Sequence, residues 1–324
     1  MTTKPKQDQT LNRRSPMRFI RPLIKVSVGL GGVFVAAVLI QIYRNSGDTQ
    51  VFPAAARDLR VATYNVHYIA ARQATGPWSL THWEQRKAPL NQAFQYLDAD
   101  LVAFQEMETH SGREADQFNL TLDYLLENNP TYAAAAVGDP AEFPSTQPIL
   151  YRRDRLALAD QGWFFFSNTP DVIYSRTFNG SYPAFTSWAQ FTDLQSGQVF
   201  RVVNIHTDFS SRSNRLQSVA LVAERISPWI DAGETVLVMG DLNARLGDTA
   251  LEIIADTGVT FAPVKGASFH FNRGLNLFGA IDHIGLSGQA VMAHDPIVVR
   301  RPFMGVWPTD HYPVLLDIQL TAEK

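Results

Sequence analysis

The 324-residue chain has no cysteine. Disulfides, thiolate metal sites and cysteine nucleophiles are therefore excluded, although this absence fits any compartment. It has no internal repeat and no low-complexity region, which excludes a solenoid of stacked units and a compositionally biased segment. A net positive balance is found only at its N-terminal end. The first 25 residues hold seven basic side chains (Lys4, Lys6, Arg13, Arg14, Arg18, Arg21, Lys25) against Asp8 alone, a net +6. The whole chain is −3, so the remainder carries −9. Proteins that grip DNA usually present a basic stripe to displace counterions. This balance counts against tight polynucleotide binding.

Charged residues are also absent from Val26 to Ile40, and Gln41-Ile42-Tyr43 extends that run. A helix of about 17 residues reaches roughly 25 Å, the short end of a membrane span. Flanking charge and all-round apolarity argue against a buried core helix. A cleaved signal peptide is the other reading. Ala54-Ala55-Ala56 resembles a small-residue cleavage site, but it lies far beyond the apolar run, with Tyr43 and Arg44 between. An uncleaved signal anchor is favoured; the alternative is secretion after cleavage near Ala56. Arg13-Arg14 hints at twin-arginine export, to which Ser15-Pro16 is a poor match. Basic residues before the span predict a cytoplasmic N-terminus and a domain outside the cytoplasm. The expected organisation is a basic tail over 1–25, a transmembrane signal anchor over 26–43, a linker over 44–57 and one large domain over 58–324.

That domain can bury a substantial core, since 45% of the chain is hydrophobic and 11% aromatic. Alternation predicts strands at Leu59–Tyr64, Leu101–Phe104, Ile149–Tyr151, Leu156–Leu158, Trp163–Phe166, Ala184–Phe191, Val199–Ile205, Thr235–Met239, Ser268–Phe271, Ile281–Leu286 and Val314–Leu320. Helical spacing predicts helices at Glu84–Leu97 and Phe118–Leu126, a third from Leu216 to Ile230, and a short one near Ala250–Ile254. Strands mixed with helices predict two facing sheets with helices outside.

Six polar motifs each end an apolar run. They are Tyr64-Asn65, Gln105-Glu106, Asn204-Ile205-His206, Gly240-Asp241-Leu242-Asn243, Ile281-Asp282-His283 and Thr309-Asp310-His311. Alone, each has a plain reading. Asn65 is a turn former, Glu106 a solvated strand end, Asp241 and Asn243 a Gly-Asp turn, Asp310 a loop cap and His206 a core histidine. Together, carboxylates, carboxamides and two histidines at strand ends describe a hard-metal, phosphate-cleaving site. Such cleavage needs charge neutralised on phosphoryl oxygens, a nucleophilic water and a stabilised leaving oxygen. Mg²⁺ supplies much of this and prefers carboxylate and amide oxygens plus retained waters.

The motifs TYNV (63–66), LVAFQE (101–106), VVNIHTD (202–208), VMGDLNAR (238–245), IDHIGLS (281–287) and TDHYPV (309–314) resemble the endonuclease/exonuclease/phosphatase superfamily. That family includes deoxyribonuclease I, apurinic endonucleases, neutral sphingomyelinases and inositol polyphosphate 5-phosphatases. The resemblance spans roughly Leu59 to Leu320. It implies a deoxyribonuclease I-like, four-layer α/β sandwich of two facing mixed β-sheets flanked by helices, here preceded by one N-terminal transmembrane helix. It implies Glu106 as the main metal carboxylate, with Asn65 beside it and Asp310 completing the shell around Mg²⁺, or alternatively Mn²⁺. Asp241 would orient or deprotonate the attacking water, and Asn243 would position the phosphate. His311 would contact the scissile phosphate, with Asp282 holding its tautomer. His206 would stabilise the pentavalent transition state. Tyr151 and Arg152, in PILYRRDRL (148–156), match the family's strand before the second half and are phosphate-side candidates. One departure is His67, where apurinic endonucleases place Asn or Asp. It leaves two roles open, a second metal contact or a wall of the pocket.

An anchored site lies near lipid head groups. The leading expectation is thus a metal-dependent phosphoesterase acting on a phospholipid or small phosphate ester. The second is an exported nuclease acting on DNA or RNA, and the third a non-catalytic binding module. The aromatic stretch Trp163–Phe166 reads as core. Ser181–Trp188 and Phe269–Phe278 read as rim loops.

Overall fold

The computed structural model describes residues 1–2, 17–47, 50–111, 118–180 and 183–321, and the backbone alone over 17–30. It divides into Met1–Gln41 and Ile42–Lys324. The first unit holds most of helix α1 (Met17–Arg44). Among the described residues no helix is long and apolar enough to cross a membrane. Most of the expected basic tail, and the side chains of the expected span up to residue 30, lie outside the described residues.

The first half of the second unit runs β1 (Leu59–Asn65), β2 (Ile69–Ala70), α2 (Leu80–Leu97), β3 (Leu101–Gln105), β4 (Thr109–His110), α3 (Leu120–Asn128), β5 (Tyr132–Ala135), β6 (Ile149–Arg152) and β7 (Leu156–Phe165). The second half adds β8 (Phe185–Asp193), β9 (Val199–His206), α4 (Arg212–Asp231), β10 (Thr235–Asp241), α5 (Thr249–Ala255), β11 (Thr260–Phe261), β12 (Asp282–Leu286), β13 (Ala290–Met292), β14 (Ile297–Val298) and β15 (Val314–Leu320). Four of the helices start on a polar cap. Ser79, Asn119, Ser211 and Asp248 each accept a bond from a first-turn N–H that has no helical partner.

One sheet has the order β13-β15-β1-β3-β6-β5, with β14 also on β15. The other has the order β11-β12-β10-β9-β8-β7. Both are mixed. β1 pairs parallel with β3, and β9 with β10, while their outer neighbours β15 and β12 are antiparallel. Period-two alternation then makes the layers. Leu59, Val61, Leu101 and Ala103 meet Phe200, Val202, Leu237 and Met239 in one buried cluster between the sheets. The intervening Ala62, Tyr64, Val102 and Phe104 pack on Leu90, Phe94, Leu97 and Leu125 of α2 and α3. On the opposite side Val203, Ile205, Val236 and Val238 pack on Val219, Val222, Ile226 and Ile254 of α4 and α5. Helices, sheet, sheet and helices give the four layers that were expected.

Several expectations need correction. The two strands expected at Leu156–Leu158 and Trp163–Phe166 are one, β7, paired along β8 with an irregularity between Leu158 and Asp160. Ser268–Phe271 is not a strand; only Phe269 bridges to His311, because Phe271 and Asn272 take positive φ (59° and 58°), which breaks extension. Phe185–Trp188 lies inside β8 rather than in a rim loop, and residues 181–182 are outside the described residues. The expected linker is seated on the domain. The Asn45 carbonyl accepts from the Ala267 N–H (2.9 Å), Asn276 Nδ2 donates to Ser46 Oγ (3.0 Å), and Arg60 Nη2 donates to the Phe52 carbonyl. The aromatic stretch is core, with Phe164, Phe165 and Phe166 buried.

Gly240 shows how tightly the sheet beneath the site is drawn. It pairs with Ile205 across β9 and β10 at φ +144°, and a Cβ there would stand 1.9 Å from the Ile205 carbonyl oxygen. Gly240→Ala must either separate these strands or strain the backbone. The expected cost is about 4 kcal/mol or more, read by urea denaturation. A loss under about 1 kcal/mol, the ordinary size of a substitution effect, would show that the strands can part freely.

Candidate active site

The alternation that builds the core also aims the polar residues. In β1 the inward set is Leu59, Val61, Thr63, Asn65; in β10 it is Leu237, Met239, Asp241. Asp241 stands in register between His206 of β9 and Asp282 of β12. Asn65 stands in register with Gln105, and Glu106 follows at φ 53°, a turn back out of the strand. Asp310 and His311 arrive on the loop leading into β15, whose Val314 pairs with Thr63. Asn65, Glu106, His206, Asp241, Asp282 and His311 therefore gather at one edge, between the two sheets, while Tyr64 and His283 face the helix layers.

The contacts there are specific. Asn65 Nδ2 donates to Glu106 Oε1 and to Asp241 Oδ2, both at 3.1 Å. His206 Nε2 lies 3.8 Å from each of the same two oxygens. Asp241 Oδ1 accepts from the Asn243 N–H at 2.9 Å. His311 Nδ1 is 2.9 Å from Asp282 Oδ2, so Nε2 is the nitrogen left to face Asp241, at 3.7 Å. The second oxygen of Asp282 is buried without a hydrogen-bond partner. Asp310 accepts from Thr309 Oγ1 and lies 3.9 Å from His67 Nε2.

Burial and neighbouring charge set the electrostatics. Burial, then Asp282, push the Asp241 carboxyl up to about 6. His311 is raised well above the ordinary histidine range. Burial opposes this, but Asp282 and then Asp241 outweigh it. Asp310 is lowered, because His311 and His67 overcome the opposing effect of burial. The site thus holds a cationic imidazole beside an unusually basic carboxylate.

Asp241, Asp282 and His311 each bring a ligand-capable atom within 4.8 Å of the others. They are not three free metal ligands, since the close Asp282–His311 bond uses one oxygen and one nitrogen. Glu106, its side chain 25% exposed, is the carboxylate that a hydrated hard cation can reach. Carboxylate oxygens of Glu106 and Asp310 at this edge suit such an ion; the Asn65 oxygen is turned to the His67 N–H (3.1 Å), so Asn65 adds to the shell through its bond to Glu106.

Other sequence expectations fall differently. Tyr151 sits opposite Leu101, at the far end of β3 from Gln105, with its ring 5.0 Å from Phe191. Arg152 pairs with Asp98 and lies over Tyr132. Neither reaches the site, because β6 runs antiparallel to β3. Asn243 Nδ2 donates to the Thr207 carbonyl (2.9 Å), so this amide holds the turn carrying Asp241. His67, at φ 60°, stacks against Tyr68 and Trp78, with Nε2 3.9 Å from Asp310.

Two supports were not anticipated. Gln105 Nε2 donates to Asn204 Oδ1 (2.7 Å), tying the sheets together just below the site. Arg86, 1% exposed, donates to the carbonyls of Val66, His67 and Pro308, and so fixes the loops after Asn65 and before Asp310. An available signal was an arginine on the apolar stripe of α2, between Trp83 and Leu90.

Residues 62–311 match the Endonuclease/Exonuclease/phosphatase family. The chain belongs to this family. No curated protein matches it significantly. Among solved structures it is similar to an endonuclease/exonuclease/phosphatase family protein from Bacteroides thetaiotaomicron, at 23% identity and TM-score 0.68, over 82% of this chain and 99% of that one. A mannosyl-6-phosphatase from the same organism is 23% identical, with TM-score 0.67 over 80% and 99%. The human Nocturnin catalytic domain with bound sulfate is 15% identical, with TM-score 0.56 over 86% and 99%. At these identities the likeness establishes the endonuclease/exonuclease/phosphatase fold.

The Asp282–His311 pair gives a direct test. In metal-free protein, Asp282→Asn removes the largest contribution that raises the His311 pKa, so the imidazole should titrate at lower pH than in wild type. Histidine NMR, with His311→Gln to assign the signal, reads this. An unchanged titration would remove Asp282 as the partner of His311.

Proposed function

We propose that the chain is a divalent-metal-dependent phosphoesterase, hydrolysing a phosphodiester or phosphomonoester of a phospholipid or small phosphate ester outside the cytoplasm. The observation that carries this reading is the Asn65 carboxamide. It joins Glu106 of one sheet to Asp241 of the other, with His206 and His311 both turned toward the same Asp241 oxygen.

Glu106 and Asp310, with Asn65 bonded to Glu106, would hold Mg²⁺, or Mn²⁺ in its place, whose chemistry is to neutralise charge on the phosphoryl oxygens. Asp241 accepts the proton of the attacking water as its oxygen bonds to phosphorus and the P–O bond to the leaving group breaks. A carboxyl pushed up to about 6 is largely ionised at neutral pH and more basic than an ordinary aspartate. His311 donates from Nε2 to a phosphoryl oxygen while Asp282 stabilises its positive charge at Nδ1. His206 donates from the β9 side as charge builds in the transition state. Asn243 serves the phosphate through the turn that it holds.

A small ester is favoured over a polynucleotide by the −9 balance outside the first 25 residues. The solved mannosyl-6-phosphatase, at similar fold, acts on a small phosphomonoester by its name. The second reading is a nuclease; a D. rerio TDP2 of this fold has been seen complexed with single strand DNA product.

Glu106→Gln keeps the volume of the side chain and removes its charge. It should lower kcat/KM at least about 100-fold, and EDTA should abolish turnover. EDTA-treated protein working at full rate on its best substrate would refute metal dependence.

The location rests on the uncharged run from Val26 with basic residues before it. An alkaline phosphatase fusion after Asp58 should be active, since that enzyme works only when exported. A silent fusion beside a fluorescent cytoplasmic reporter at the same point would reverse the orientation.

A further inference from the structure

Asn45 and Ser46, which follow the uncharged run, are held by bonds that the proposed chemistry does not use. The Asn45 carbonyl accepts from the Ala267 N–H (2.9 Å), and the Ser46 carbonyl accepts from Arg300 Nη1 (3.2 Å). Ser46 Oγ donates to the Ile42 carbonyl (2.7 Å) and accepts from Asn276 Nδ2 (3.0 Å). Gly266, at φ +78°, makes this approach possible, because a Cβ there would collide with the Asn45 carbonyl. Arg300 closes the receptacle by donating from Nε to the Ala267 carbonyl (2.8 Å) and from Nη2 to the Lys265 carbonyl.

The same stretch, residues 266–276, is a crosspiece between the two segments that carry Asp282 and His311. Ser268 Oγ accepts from the N–H groups of Ile281 (2.9 Å) and Asp282 (3.1 Å), and the Ser268 carbonyl accepts from the Tyr312 N–H (2.6 Å). Phe269 bridges to His311, with its ring 5.0 Å from the imidazole. The His270 N–H donates to the Asp310 carbonyl (2.8 Å), and its ring stacks on Tyr312 at 4.0 Å. The Tyr312 hydroxyl then donates to Asn276 Oδ1 (3.1 Å), on the carboxamide whose nitrogen holds Ser46.

We infer that Asn45 and Ser46 are positioning residues of the active site: seated on Ala267 and Asn276, they fix the crosspiece that sets His311 against Asp282. The inference rests on the phosphoesterase reading of that site. Two physical points support it. The crosspiece lies outside any strand or helix, and Phe271 and Asn272 take positive φ, so no ladder of its own holds it in place. Its position comes from the bonds at its ends. Asn276 is 7% exposed, and a buried amide that loses its acceptor must move or stay unpaired. Either change reaches Tyr312, the neighbour of His311. A misplacement of about 1 Å at a reacting group can cost roughly 100-fold in rate.

The test uses the full chain in detergent, with Mg²⁺ and either p-nitrophenyl phosphate or its bis-ester. Ser46→Ala removes one hydroxyl and leaves the backbone bonds of the segment. It should lower kcat about 3- to 10-fold, the worth of one hydrogen bond, with KM unchanged. Ser46→Thr restores the hydroxyl and should restore kcat. In a His311→Gln background Ser46→Ala should cost nothing further, since residues that act as a unit do not add. An unchanged kcat, a change in KM alone, or no recovery in Ser46→Thr would overturn the inference. So would an equal loss in both backgrounds, which marks a merely structural bond. Histidine NMR of the metal-free protein gives a readout without turnover. The His311 ring signals should shift in Ser46→Ala and return in Ser46→Thr; signals that stay, or that fail to return, refute the positioning role. If wild type hydrolyses neither ester, the phosphoesterase reading fails for small esters, and the NMR still decides whether Ser46 positions His311.

Discussion

The site depends on one side chain, the carboxamide of Asn65. It is the last residue of β1, and its two N–H groups reach a carboxylate in each half of the sandwich, Glu106 beside it and Asp241 across from it. Its oxygen meanwhile accepts from the His67 N–H. An aspartate there would set a third carboxylate beside the other two, and like charges so close oppose ionisation. The sheets must therefore meet at a fixed separation. Below it, the Gln105–Asn204 bond between β3 and β9 holds that separation, and the bare Gly240 backbone lets β9 and β10 close up beneath Asp241.

Such an edge is costly to build. Asp241, Asp282 and His311 are buried, and one Asp282 oxygen has no hydrogen-bond partner. Buried charge without full compensation lowers stability by several kcal/mol per group. The compensation is partial: an imidazole raised by two carboxylates, and a carboxylate raised by burial. These perturbations are what a water-activating base and a phosphate-facing cation need, so stability is given up where reactivity is required. Arg86 fits the same pattern. Burial pushes its guanidinium down to about 10, yet it stays charged and binds four carbonyls at the loops that deliver Asn65 and Asp310.

Much of this was legible in the chain. The inward set of each long strand is written in alternate residues, so Asn65, His206, Asp241 and Asp282 could be placed at strand ends and on one face. The four layers follow from the same alternation plus the helical stripes. Short edge strands such as β5, β13 and β14 left too few residues for a period to show. Trp163–Phe166 looked like a separate strand because the bulge near Asp160 interrupts the alternation of β7. Tyr151 and Arg152 looked close to the phosphate because their motif is close in family terms. Strand direction takes them to the other end.

The sequence by itself determined which residues face inward, since side-chain direction along a strand is a local property of period two. It also determined the chemical types at the strand ends, and the backbone freedom needed at Gly240. Tertiary structure alone decided which ends meet. Pairing register and strand direction are set by distant contacts, so only the folded sheets bring Asp241 beside both His206 and Asp282 and stand Asn65 opposite them. The same holds for Arg86, whose carbonyl partners include one 222 residues away, and for Tyr68 and Trp78. Those two rings are ten positions apart in the chain and meet because the loop between them closes on itself, the Ala70 N–H donating to the Trp78 carbonyl.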